Sequence, residues 1–259
     1  MNRTIAFGAA GIAVAAAMLG AGYYAGQKPA VQAAQPNERA EIEQIVRDYL
    51  VTNPEVMVEM QAALEAKQEE KQRVQQQAAI ASSKADIFDL TTDGVFGNPN
   101  GEITIVEFYD YNCGYCKRAF PDVNALIQDN PDLRVVLKEF PILGPDSQKA
   151  HTVSMAFKAL MPEKWNEFHD KLMAAAGRAS DENAVALALS LGADEAALRK
   201  EMANPAIAAQ VQVTFRLADQ LGITGTPSFV VGDEVVFGAV GKEALQDKII
   251  EARDETSGS

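Results

Sequence analysis

From residue 38 to residue 85 the apolar positions follow a helical period. Ile42, Ile45, Val46, Tyr49 and Leu50 fall at i, i+3, i+4, i+7 and i+8, one face of an amphipathic helix. Asn53-Pro54 reads as an N-cap followed by proline at the first helical position. Val56, Met57, Met60 and Leu64 then carry the stripe on. Beyond Leu64 it fades, with Lys67 and Lys71 at heptad positions, so the far half reads as a solvated stalk. The stripe packs either on its own domain or on further copies of the chain.

At residue 87 the pattern changes and a globular domain begins. After the turn-rich DGVFGNPNGE, the β-branched and aromatic run ITIVEFYDY (103–111) predicts a strand covered on both faces. A helix over Gly114 to Gln128 and a second strand, LRVVLKEF (133–140), complete a βαβ unit, so the two strands run parallel. Residues 146–222 read as helical, with Ser180 and Asp194 as N-caps, Asn204-Pro205 repeating the cap-plus-proline signal, Pro162 at a first helical position, and Gly192 and Gly222 as stops. SFVVGDEVVF (228–237) predicts a hairpin turning at Gly232-Asp233, and a last helix covers Lys242 to Ala252. The tail 253–259 has nothing to bury and is expected to be mobile.

Apolar residues make up 47% of the 259 positions, enough for a real core, and the net charge of −13 argues against a nucleic-acid partner. At the N-terminus, Arg3 precedes an uncharged run from Thr4 to Gln27. Residues 1–27 therefore read as an export segment, either a cleaved signal peptide or an anchor in the inner membrane, and 28–37 as a Pro/Gln/Ala linker. Either way the rest of the chain faces an oxidising space, the periplasm or cell envelope, where a disulfide persists.

Both cysteines lie in one short stretch, NCGYC, where a buried strand meets a helix. Cys113 ends the loop and Cys116 lies in the first turn. Unpaired N–H groups and the helix dipole favour an anion there, and thiol pKa values in such pairs drop from about 8.5 to between roughly 3.5 and 7. The thiolate is the species that attacks disulfides. Cys113 is the candidate nucleophile and Cys116 the resolving thiol, with Gly114 and Tyr115 tuning the thiolate. Zinc would need His151 and His169 as further ligands, but these are 18 residues apart in the helical stretch, so no metal is expected, and His169 reads as an ordinary helix-face or core residue. A purely structural staple would close too small a loop to stabilise much.

Glu107 sits among Ile105, Val106 and Phe108, where a carboxylate is either desolvated or points to solvent at the strand end. Desolvated, it could shuttle the proton that Cys116 must lose. Lys138, on the parallel neighbour, is its expected companion in this relay. Thr226-Pro227 directly precedes a strand, where proline's missing donor is tolerated; an X–Pro bond in so tight a turn is a candidate cis peptide, although an ordinary trans turn is the default reading.

FYDYNCGYC at a strand-to-helix junction together with GTPSFVV before a hairpin resembles the thioredoxin superfamily. The helical block between FPILG and GTP, about 146–203, is similar to the insertion of DsbA-like oxidoreductases. The resemblance spans residues 87–252 and implies an α/β thioredoxin-like fold with a helical insertion, here preceded by a helical arm over 38–85. It implies a cis Thr226-Pro227 against the sulfurs, where it would bind substrate, and matches Glu107 and Lys138 to the family's buried acid and lysine. CGYC is similar to the pair of periplasmic disulfide isomerases, and the arm resembles that of the suppressor-for-copper-sensitivity C group, whose members assemble through it.

The expectation is an exported thiol:disulfide oxidoreductase that isomerises or reduces disulfides in cysteine-containing envelope proteins. It would need no cofactor beyond its own Cys113–Cys116 couple. It would be a homo-oligomer through residues 38–85, kept reduced by a membrane thiol reductase of the DsbD/ScsB kind. The alternatives are a net disulfide oxidase, a copper(I)-binding envelope chaperone using the same soft thiolates, and an envelope stalk whose CxxC is vestigial.

Overall fold

The computed structural model describes residues 36–88 and 92–257. The export segment and nearly all of the linker lie outside the described residues, and among those described no helix is long and apolar enough to cross a membrane. The chain divides near residue 65 into two units. The first holds α1 (Pro36–Thr52) and the opening turns of α2 (Glu55–Ser82). Its stripe of Ile42, Ile45, Tyr49, Met57, Met60 and Leu64 is exposed within the single chain.

The second unit begins at Ala66, earlier than the domain start expected at residue 87. Ile80 near the end of α2 is buried, and Gln77 donates to Asp233 in the hairpin turn. The expected stalk is therefore solvated over only part of its length: Ile80 and Ala79 pack against the core and Gln77 bonds to the hairpin turn.

After α3 (Lys84–Phe88) come β1 (Gly94–Gly97), β2 (Ile103–Tyr109), α4 (Gly114–Asp129) and β3 (Leu133–Glu139). The helical block follows as α5 (Pro145–Leu160), a 3-10 turn, α6 (Trp165–Ala174), α7 (Asp181–Ser190), α8 (Glu195–Met202) and α9 (Pro205–Gln220). Then come β4 (Ser228–Val231), β5 (Glu234–Phe237) and α10 (Lys242–Ser257). The sheet order is β1-β3-β2-β4-β5. β2 and β3 are parallel as expected, with Glu107 opposite Leu137 and Phe108 opposite Lys138. β1, which the turn-rich sequence concealed, pairs antiparallel with β3.

Alternation splits the core into two layers. Ile103, Ile105, Tyr109, Leu133, Val135 and Leu137 face α4, α10 and the helical block. Val106, Phe108, Val136 and Phe140 face the other way, against Ile80, Leu217 and Ile223. Within the block, Ser180, Asp194 and Asn204 cap α7, α8 and α9 through their side chains, and Gly192 and Gly222 end helices at positive φ.

Candidate active site

Cys113 is the N-cap of α4. Its backbone is extended (φ −79°, ψ 114°), and its sulfur takes the position a serine or aspartate oxygen would normally fill, accepting the Cys116 N–H at 3.3 Å. Its pKa falls to about 6. Hydrogen bonding from the Cys116 side chain is the main cause; burial opposes it, and the N–H groups of Cys116 and Tyr115 add to it. While protonated, the thiol donates to the Thr226 carbonyl at 3.1 Å.

Cys116 lies one turn inside, with no exposed surface, and both sulfurs are free thiols. Burial, the bond it makes to Cys113 and the nearby Glu107 charge push its pKa far above the ordinary thiol range. The pair is thus strongly asymmetric: one sulfur is readily ionised, and the other keeps its proton until something takes it. Gly114 is exposed, with open space where a Cβ would stand, and Tyr115 is 59% exposed with the Arg118 guanidinium 4.8 Å from its ring centre.

Glu107 lies on the same sheet face as the cysteines, in the layer of Ile105 and Tyr109. It is 5% exposed, and its pKa rises to about 8, first through burial and then through the Cys113 charge. Lys138 does not join it. Odd positions of β2 and β3 face the thiols, whereas Lys138 points to the opposite face with Val136 and Phe140, where its ammonium bonds to the Asp93 carboxylate and the Asp86 carbonyl. The expected Glu107–Lys138 relay is therefore corrected: the sheet separates the two side chains.

The Thr226-Pro227 peptide is cis. The Thr226 carbonyl faces the Cys113 sulfur, and the Pro227 carbonyl accepts the Gly238 N–H at 2.9 Å, tying this turn to the end of the hairpin.

A buried polar cluster beneath the loop was not expected. Asp110 accepts the Asn112 N–H at 2.8 Å, the Leu143 N–H at 3.0 Å and the Ser147 hydroxyl at 2.8 Å. The Tyr111 N–H points at His151 Nε2 at 3.2 Å, and Nδ1 of that ring bonds to Glu139. Burial opposes a charge on His151, but the Glu139 and Asp110 carboxylates override it and raise its pKa to about 9. His169 bonds to the Tyr111 hydroxyl at 3.1 Å, and burial lowers its pKa to about 3. The sequence signal was the run DYN, three hydrogen-bonding residues directly before Cys113 at the end of a buried strand.

A helix-capping thiol, an inner partner and a cis-proline turn on a sheet of this order define a thioredoxin-fold redox site. Residues 104–250 match the DSBA-like thioredoxin domain, and the chain belongs to that family. Residues 38–71 match the copper resistance protein ScsC N-terminal domain. Among solved structures, a thioredoxin-like oxidoreductase from Silicibacter pomeroyi DSS-3 is 39% identical over 66% of this chain and 97% of its own, with a TM-score of 0.62. ScsC of Proteus mirabilis in a transitional conformation is 27% identical over 86% of this chain and 98% of its own, with a TM-score of 0.63. A curated relative, the Na(+)/H(+) antiporter NhaA 1 of Salinispora arenicola, is 27% identical over 164 residues, which are 63% of this chain but 25% of that protein. The chain thus spans about a quarter of the length of the curated relatives it matches first.

Proposed function

We propose that the chain is an exported thiol:disulfide oxidoreductase that works as an isomerase or reductase on cysteine-containing proteins of the periplasm. The observation that carries this reading is the Cys113 sulfur, capped by the Cys116 N–H, acidified to about 6 and set against the Thr226 carbonyl.

The Cys113 thiolate attacks one sulfur of a substrate disulfide. A mixed disulfide forms, the substrate S–S bond breaks, and the departing substrate thiolate takes a proton from water. Forming the mixed disulfide removes the negative charge that helps keep Glu107 protonated, so the carboxylate becomes available as the base for Cys116. Cys116 gives its proton to Glu107 and attacks the Cys113 sulfur. The substrate leaves reduced, and the Cys113–Cys116 disulfide remains for a membrane thiol reductase to reduce. If a second substrate thiol attacks first, the substrate is isomerised and the pair stays reduced.

The Gly114-Tyr115 dipeptide and the exposed apolar stripe of the arm, in a segment matching the ScsC N-terminal domain, favour an isomerase assembled from several copies. The acidic Cys113 supports a second reading, a net oxidase, because a stabilised thiolate makes the disulfide form more oxidising. Reactivation of a scrambled multi-disulfide substrate by the reduced protein tests the choice. Activity greater than that of the Cys116→Ser variant supports the isomerase. Oxidation of a reduced substrate with no reactivation of the scrambled one overturns it.

A further inference from the structure

Asn112 immediately precedes the reactive cysteine, and its side chain bonds like a second backbone. Its Oδ1 accepts the Ala179 N–H at 2.7 Å, while Nδ2 donates to the Ala179 carbonyl at 2.9 Å and to the Ser147 hydroxyl at 3.0 Å. Ala179 is buried in the connection between α6 and α7, and Ser147 lies in α5, so all three bonds tie the loop to the helical block. The Asn112 N–H is held separately by Asp110. With main chain and side chain both fixed, the peptide entering Cys113 has little freedom to turn. The orientation of that peptide in turn sets the extended φ and ψ that place the sulfur over the Cys116 N–H.

We propose that Asn112 is a positioning residue that couples the helical block to the reactivity of Cys113. Its carboxamide clamps Ala179 and Ser147, and so holds the sulfur in the capping position. The inference rests on the reading of Cys113 as the attacking thiol. Two neighbouring contacts fit it: the Lys117 ammonium in α4 donates to the Ala175 carbonyl at 2.6 Å, and the Arg178 guanidinium donates to the Leu143 carbonyl at 3.2 Å. The 175–179 connection is thus strapped to α4 and to the segment between β3 and α5, and Asn112 is the strap adjoining the sulfur.

The test uses the full reduced chain and follows Cys113 alkylation by iodoacetamide against pH, with unfolding recorded in parallel. In Asn112→Ala the midpoint is expected to rise by about one pH unit, with labelling at pH 6 about fivefold slower. Asp194→Ala, which removes the side-chain cap of α8 and so destabilises the fold at a different site, is expected to leave the midpoint unchanged. Ser147→Ala, which removes one of the three contacts together with the Ser147 hydrogen bond to Asp110, is expected to give a smaller rise, and it decides the matter if Asn112→Ala does not fold. An acidic native Cys113 left unmoved by these variants, or moved equally by Asp194→Ala, overturns this proposal alone. A native midpoint near 8.5 removes the attacking-thiol reading, and this proposal with it.

Discussion

Glu107 and Cys113 oppose each other's charge across the buried face of the sheet. The carboxyl is held protonated to about pH 8, first by burial and then by the thiolate, so consuming the thiolate in a mixed disulfide removes the smaller of the two causes and makes Glu107 a better base. Glu107→Gln keeps the shape and removes the base. Rapid-quench measurement of mixed-disulfide decay should show resolution by Cys116 slowed about 10²-fold, with the first attack by Cys113 little changed. Equal slowing of both steps would place Glu107 outside the proton path.

The same carboxyl makes stability depend on pH. Glu107 ionises near 4.5 when unexposed to the fold's constraints and near 8 in the folded chain, so between these values the folded state holds a proton that the unfolded state has released. Stability therefore falls as pH rises through this window, by at most about 1.4 kcal/mol per pH unit from this one group. Denaturant unfolding of the native chain and of Glu107→Gln at pH 5 and pH 8 should show the variant gaining relative stability at the higher pH. A constant difference would contradict the raised pKa.

Lys138 is expected to act on stability and not on redox chemistry. Its ammonium and the Asp93 carboxylate form a pair almost wholly removed from solvent, on the sheet face away from the thiols. Lys138→Ala takes from the buried Asp93 carboxylate its directly bonded cation, leaving the nearby Lys158 charge, and should cost about 3 kcal/mol in chemical denaturation. The Cys113 labelling profile of the folded variant should match that of the native chain, and a shifted profile would restore the relay reading.

The arm is expected to set assembly. Tyr49→Glu and Met60→Glu place charge in the exposed apolar stripe of the first unit. Sedimentation should report a smaller species for this double variant, and reactivation of scrambled substrate should fall while Cys113 labelling is unchanged. An unchanged mass would exclude this face as the assembly surface.

The two long strands, the helix after Cys113 and the hairpin were legible because each carries a strong local signal: β-branched runs, an apolar helical face, or a Gly-Asp turn. β1 was not, since it has four residues and a glycine at each end, and it becomes a strand only by pairing with β3. Lys138 was assigned to the right strand but the wrong face. Strand assignment alone leaves the register open, and a shift of one position moves a side chain across the sheet. Asn112 escaped notice, and His151 was weighed only as a zinc ligand, because their partners lie 67 and 40 residues away, brought close only when the helical block folds over the loop. The cysteines and Thr226-Pro227 stood out because their chemistry is local to short motifs.

The account depends most directly on the ionisation of Cys113 in the reduced, folded chain, read from thiolate absorbance near 240 nm with Cys116→Ala as the single-thiol reference. A transition near pH 6 in the native chain, moved upward in the reference by loss of the Cys116 hydrogen bond, is the predicted result. A transition near 8.5 in both proteins would contradict it.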